Sequence, residues 1–304
     1  MSAAGRLGGR VDRAALSAAA ARYRRPLRDG LILVGLARAF VYVAIQGIHP
    51  WEFAGIDARS YWGIDLAHPY LRSGVGDLST YLYSPAFAQL LAPFSAIPFW
   101  AFFAGWTAVS VALLVWLVRP WPWAVPMLIL PIGYELCVGN VHLLLAAALV
   151  VGLRAPAVWA FPLLTKITPG VGALWFLARA RWRAFAIAAT TTVAIAAVSA
   201  VLSPSAWSDW ISFLLASPGR TELLPERIVL AAVLVVVGAR TDRRWLVPVA
   251  CWLALPVIWV NSWVLLLAVI RLREPRFGDG PAAGAPTGPP RPRHQSLRDR
   301  LRYR

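Results

Sequence analysis

The chain has 304 residues, of which 59% are hydrophobic and 14% charged, with 16 Trp and a net charge of +16. A soluble domain carries about 45–50% apolar and roughly 25% charged residues. An ordinary cytosolic enzyme and a disordered chain are therefore excluded, and an all-α polytopic membrane protein is indicated. The positive charge falls in short Arg clusters between apolar segments, the positive-inside pattern of membrane topology rather than a nucleic-acid surface. Length leaves room for about eight to ten hydrophobic helices, short or re-entrant ones included.

Residues 1–30 form a basic cytoplasmic segment with seven Arg against two Asp. Residues 31–272 form the transmembrane domain. Its first span is 31–47, read as a signal anchor, with Arg38 inside it. Residues 48–84 form the first outer loop, which holds Glu52, Asp57, Arg59, Asp65, Arg72 and Asp77 among many aromatics. A loop this long is more often functional than a passive connector. Residues 85–97 are short, apolar and interrupted by Pro85 and Pro93, as in a partial or interfacial helix. Residues 99–118 return the chain to Arg119.

Three segments follow with Arg at both ends and a polar middle. The middle of 121–154 holds Glu135, Gly139, Asn140 and His142. That of 155–178 holds Lys166-Ile-Thr-Pro169, and that of 245–270 holds Pro256 and Asn261. Each reads as a hairpin whose tip reaches the outer side, and the half-segments of the last two are short enough to be broken or re-entrant helices. One continuous helix per segment is the competing reading. Residues 184–202 cross outward, 203–226 form a second outer loop with Trp207, Asp209 and Trp210, and 227–239 return. Residues 273–304, rich in Pro, Gly and Arg, read as a disordered basic cytoplasmic tail. Both basic ends are expected against the anionic lipid of the inner leaflet.

The acids concentrate on the outer side, at the level of the polar hairpin tips. Together they describe a cleft for an amphiphilic substrate. Asp57 reads as a general base toward a hydroxyl, or as a helix cap or partner of Arg59, with Asp65 and Asp77 as alternatives. Lys166 is the only lysine beside 29 Arg. A cation within an apolar stretch is costly and usually functional, and a compact ammonium suits a phosphate; a lysine snorkelling from a helix end is the plainer alternative. Glu135, Asn140 and His142 lie about one turn, where His142 reads first as a buried, satisfied histidine. Trp207 and Trp210 could stack on a sugar, but interfacial anchoring is the simpler reading. Cys137, Cys251 and the four His show no disulfide or metal spacing, so neither metal nor cofactor is expected. There is no phosphate-cradling Gly-rich motif, hence no support for a nucleotide.

Motifs in a fixed order complete the reading. They are Asp57-x-x-x-Tyr61, Tyr83-x-Pro85-x-Phe87-Ala88, Gly139-Asn140, Lys166-x-x-Pro169 before an Arg-rich turn with Trp182, and Pro256-x-x-Trp259. In this order they resemble glycosyltransferase family 87, the polyprenol-phosphate-mannose-dependent α-mannosyltransferases of the GT-C superfamily. The resemblance implies a GT-C-like membrane enzyme in the cell membrane with its active site on the extracytoplasmic side. Its donor would be a polyprenyl-phosphate sugar, most often mannose, and its acceptor a glycolipid or lipid-linked glycan. Asp57 matches the family's first-loop aspartate, the presumed base, and Lys166 matches its Lys-x-x-Pro position. Lys166, Arg59 and Asn261 would hold the donor phosphate, and Tyr61, Tyr83, Glu135, Asn140 and His142 would line the substrate. Many members carry His after the C-terminal Trp, where this chain has Asn261, which donates a hydrogen bond but carries no charge. An arabinofuranosyl or other sugar donor is one alternative; a non-catalytic protein that binds or translocates a lipid-linked glycan is another.

Overall fold

The computed structural model describes residues 13–70, 81–216 and 223–274; Arg72, Asp77, Arg220, Glu222 and the tail expected to be disordered beyond Glu274 lie outside them. Among the described residues all regular structure is helical. Helix α1 (Arg13–Phe40) contains Pro26 and runs on into a π-helical turn, Val41–Ile45. It begins well before residue 31, where the first span was expected, because the Ala-rich stretch 14–21 favours helix despite its charged flanks. Arg38 is exposed on it.

The described part of the first outer loop contains a 3-10 turn, Pro50–Phe53, and helix α2 (Ile56–Trp62). Helix α3 (Pro85–Leu91) starts on a proline, whose missing N–H costs nothing there, and passes into a 3-10 turn at Ala92–Ala96. Helix α4 (Phe99–Val118) has 20 residues and α10 (Trp182–Leu202) has 21. At 1.5 Å per residue each covers about 30 Å, the thickness of a bilayer core. Both are long and apolar enough to cross a membrane. Along α10, Val193, Val198, Val201 and Leu202 are exposed, as a lipid-facing surface requires.

Between these helices lie the broken segments. Helix α5 (Ala124–Met127) leads into α6 (Ile129–Val138), and α7 (His142–Gly152) follows at a 107° bend. That pair is a splayed elbow rather than the closed hairpin expected of 121–154. The segment 155–178 is a true hairpin. Its arms are Pro156–Trp159 with α8 (Ala160–Thr165), and Thr168–Ala173 with α9 (Leu174–Ala178). Trp159 packs edge-on to Phe176 at 6.4 Å across the arms. The segment 245–270 closes likewise, through α13 (Leu246–Leu253), a 3-10 stretch Val260–Leu267 and α14 (Ala268–Arg273). Trp252 lies 4.6 Å from Trp263, and the Arg273 guanidinium lies 4.4 Å from the Trp245 ring. These cross-arm contacts rule out a continuous helix in either segment. Helix α7 is the buried centre, with nine of its 11 residues out of solvent, and packs on α4, α14 and Val260–Leu267.

The described residues of the second outer loop are mostly helical. Helix α11 (Pro204–Ala216) leads toward α12 (Leu224–Arg240). The Arg-bearing links meet at one end of the bundle. Arg179 pairs with Asp242 at 2.6 Å and donates to the Ala239 carbonyl at 3.0 Å. Arg271 donates to the Trp116 carbonyl at 2.6 Å. The tips of the broken segments point to the opposite end, beside the N-terminus of α4, where Arg59 covers Phe99.

The hairpin 155–178 closes only because residue 172 has no side chain: a Cβ there would run into the Trp159 ring and the Cys251 sulfur. Gly172→Ala should lower stability by about 1–3 kcal/mol through overpacking. Thermal unfolding of the purified protein in detergent checks this, with Gly133→Ala, where a Cβ meets nothing within 4 Å, as the neutral comparison.

Candidate active site

The site is assembled by close backbone approach. Gly55 (φ +71°) precedes α2, and its N–H donates to the Cys137 carbonyl at 2.7 Å. Gly139 (φ +73°) ends α6 in the left-handed region that glycine reaches without steric penalty. A Cβ on Gly139 would lie 2.7 Å from that of Ala58. The two glycines therefore bring α2 onto the elbow of α6 and α7. The contact delivers Asp57 to Asn140, whose Nδ2 donates to the Asp57 carboxylate. The Asn140 Oδ1 accepts from Val141 N at 2.7 Å, which fixes the amide's orientation.

Burial lifts the Asp57 carboxyl from the usual carboxylate range to about 6, while the Asn140 hydrogen bond and the Lys166 charge oppose the rise. Asp65 is different: it is exposed and accepts from Ala67 N at 2.9 Å within its own turn. Tyr61, one helical turn beyond Asp57, is buried, and its hydroxyl lies 2.8 Å from that of Tyr83. The Lys166 Nζ sits 5.5 Å from the Tyr83 ring. Asp57, Asn140, Tyr61, Tyr83 and Lys166 are thus gathered at one place from four separate segments.

Glu135, His142 and Asn261 are also gathered, but toward one another. The buried Glu135 carboxylate accepts from Leu143 N at 3.2 Å and from Asn261 Nδ2 at 3.0 Å, and lies 3.0 Å from His142 Nδ1. Ser262 Oγ approaches the other His142 nitrogen at 3.5 Å and accepts from Trp259 N at 3.1 Å. Asn261 therefore spends its amide on Glu135 rather than on the adjoining cavity. Arg59 is not brought in at all: it is exposed, with its guanidinium 4.0 Å above the Phe99 ring. On a helix as short as α2, the face that carries Asp57 and Tyr61 cannot also carry residue 59.

A cavity of about 230 Å³ opens beside Lys166. Tyr83, Lys166 and Thr168 supply its polar side, and Trp210, Phe213, Leu214, Val257 and Trp259 its apolar walls. It is smaller than the roughly 300–1,000 Å³ of typical ligand pockets, so it suits a sugar ring or a phosphate group with any lipid chain trailing outside. The wall from α11 was missed in the sequence, where 203–226 was read as a loop. The signal was present: Trp210, Phe213 and Leu214 fall at i, i+3 and i+4 after Ser203-Pro204. The basic residue at the rim is Arg227, whose guanidinium donates to the carbonyl of the cavity residue Pro256 at 2.9 Å.

The sequence model of glycosyltransferase family 87 matches residues 81–283, two thirds of the chain. The match includes Tyr83, Glu135, Asn140, His142, Lys166 and Asn261; Asp57 and Tyr61 precede it. No curated protein and no solved structure matches the chain.

The Asn140 hydrogen bond favours the ionised form of Asp57, so its removal must raise that pKa further. Asn140→Ala should move the carboxyl's titration above 6. The pH dependence of the protonated-carboxyl infrared band, assigned by its loss in Asp57→Asn, checks this; an unchanged or lowered midpoint would contradict the geometry.

Proposed function

The chain belongs to glycosyltransferase family 87, and from that premise we propose that this membrane glycosyltransferase takes its sugar, mannose in the first instance, from a polyprenyl phosphate. The acceptor is a hydroxyl of a glycolipid or lipid-linked glycan. The observation that carries this reading is the placing of Asp57 within the field of Lys166, which together with Tyr83 lines a mostly apolar cavity. A carboxylate for a proton, a cation for a leaving phosphate and an apolar exit for a chain are the three parts such a transfer needs. Leu214 and Trp259 line the cavity and are also exposed on the outside of the bundle, which gives the prenyl chain a route from the bilayer.

In the proposed step the acceptor oxygen attacks the anomeric carbon as Asp57 takes the hydroxyl proton. The bond from that carbon to the phosphate oxygen breaks, and the electron pair leaves with the polyprenyl phosphate. The Lys166 ammonium faces the charge that develops there. Asn140 holds the base in place, and the Tyr61–Tyr83 hydroxyl contact links the helix of the base to the polar side of the cavity. Attack opposite the leaving group inverts the anomeric centre. The orientation of the site follows from charge. The Arg-bearing links and both basic termini belong on the cytoplasmic side by the positive-inside rule, which puts Asp57 and Lys166 on the extracytoplasmic side. The charge of the cavity residue Lys166 acting on Asp57 supports catalysis over a binding role without chemistry.

The test is sugar transfer by the purified protein in detergent, from polyprenyl-phosphate mannose to extracted membrane glycolipids. Asp57→Asn should lower turnover by about 10²–10⁴-fold and Lys166→Ala by about 10²–10³-fold, both with wild-type folding. The base must be ionised to act, so kcat/KM should rise as pH climbs through about 6 and level off above it. Full activity in Asp57→Asn would overturn the assignment of the base. Absence of product from the wild type with the donor bound would overturn the choice of sugar or acceptor.

A further inference from the structure

We propose that the Arg-bearing end of the bundle contains a binding site for the phosphate headgroup of an anionic phospholipid, in the cavity walled by Arg24, Arg25, Arg28, Trp121, Trp123 and Arg273. The cavity has a volume of about 490 Å³. It lies at the end opposite Lys166 and does not depend on the chemistry proposed there.

Three parts of the chain far apart in sequence build it: the middle of α1, the link after α4 and the last residue of α14. Four arginines line one space. Only Arg28 has a carboxylate there, that of its neighbour Asp29 at 2.7 Å. Glu274, which follows Arg273 in the chain, is held by Arg271 at 3.0 Å. Among the described residues Arg24, Arg25 and Arg273 therefore pair with no acid, Arg273 lying instead over the Trp245 ring, and the arrangement gathers like charges round one cavity. An anion at the centre converts that repulsion into attraction. Guanidinium groups match a phosphate in particular, through paired N–H donors in a planar fork.

Two features specify a lipid rather than a free anion. The Trp121 and Trp123 rings stack at 5.8 Å with 15° between their planes. Paired indoles of this kind mark the headgroup level of a bilayer. Leu27 and Leu31 form the apolar side of the cavity, and with Val34 they continue one face of α1 at i, i+4 and i+7. All three are exposed, so an acyl chain has an apolar track leading from the cavity into the membrane. Basic pockets between helices on the cytoplasmic side are suited to anionic headgroups.

The experiment titrates the full-length protein in neutral detergent with phosphatidylglycerol, phosphatidylcholine or inorganic phosphate. Native mass spectrometry counts bound lipid and thermal unfolding reads stabilisation. Phosphatidylglycerol should bind at unit stoichiometry and raise the unfolding temperature, and the other two should not. Arg25→Gln/Arg273→Gln should weaken phosphatidylglycerol binding roughly 30-fold, from the loss of two guanidinium contacts. Arg181→Gln/Arg183→Gln removes the same charge from the same end outside the cavity and should bind like wild type. Unfolding temperature in phosphatidylcholine shows whether the first variant folds; should it fail to fold, Arg25→Gln alone gives the same readout at about fivefold. Equal response to phosphatidylcholine, equal loss in both double variants, or equal stabilisation by inorganic phosphate would each overturn the proposal.

Discussion

A buried carboxylate holds this structure at its breaking point. Glu135 sits in the last turn of α6, just before the break to α7, nearly inaccessible to water. A carboxylate there is tolerable only if its oxygens are fully engaged. Leu143 N and Asn261 Nδ2 donate to it, and His142 meets it. Two of these contacts have a direct structural consequence. The bond to Leu143 N satisfies an orphan donor in the first turn of α7, as an N-cap would, although the nominal cap residue is Val141. The bond to Asn261 ties the tip of the 245–270 hairpin to the same point. The elbow is therefore fixed from both sides, and Asn140, five residues after Glu135, is delivered to Asp57. Removing the carboxylate would leave several buried polar groups unmatched at once.

This network explains which parts of the site the sequence could reveal. Lys166 stood out because a single lysine in an Arg-rich, apolar chain has few structural reasons to persist there. Asp57 stood out less, and only its neighbours decide between it and Asp65. The hairpins were legible because Arg at both ends of a segment brings both ends to one side. The mutual bonding of Glu135, His142 and Asn261 was not legible, since residue 261 lies 126 positions from residue 135 and no spacing rule relates them. Arg59 and Arg227 show the same limit. Either could flank the site by charge and topology, and rotation about a two-turn helix decides that Arg59 covers Phe99 instead. Helix α11 was hidden by composition, because Ser, Pro and Asp at its start read as a loop while its Trp and Phe face inward.

The charge layout separates the molecule into two chemically distinct ends. Arginines at one end satisfy carbonyls of helix termini, as Arg271 does at Trp116 and Arg179 at Ala239. Such bonds suit helix C-termini, where carbonyls lack partners and the dipole is negative. At the other end the broken helices leave polar tips that only a shared interior can satisfy. α4 and α10 connect the two ends across the hydrocarbon layer, and α10 contributes little to the core beyond Ala188 and Ser199. Its polar contact with α3, from Gln89 to the Ser199 carbonyl at 3.1 Å, lies near the site end. The interior therefore serves the tips, while the long helices serve the bilayer.

The backbone at Lys166 shows how firmly the tips are held. Ile167 has φ +40° and ψ −63°, and the Thr168 N–H turns back onto the Lys166 carbonyl. That is a classic γ-turn, strained for any L-residue and more so for a β-branched one. Strain of this kind persists only where the surroundings over-determine the conformation. They do so here from three directions. Ser84 Oγ donates to the Leu164 carbonyl at 2.5 Å on one side of the turn. On the other, Cys251 Sγ donates to the Pro169 carbonyl at 3.1 Å. Thr165 Oγ1 donates to the Phe161 carbonyl at 2.7 Å and ends α8 just before the lysine. A helix continued through residue 166 would relieve the strain but carry Lys166 round to another face. The strained turn instead ends one arm of the hairpin, begins the other, and leaves the single lysine of the chain beside Tyr83 in the wall of the cavity.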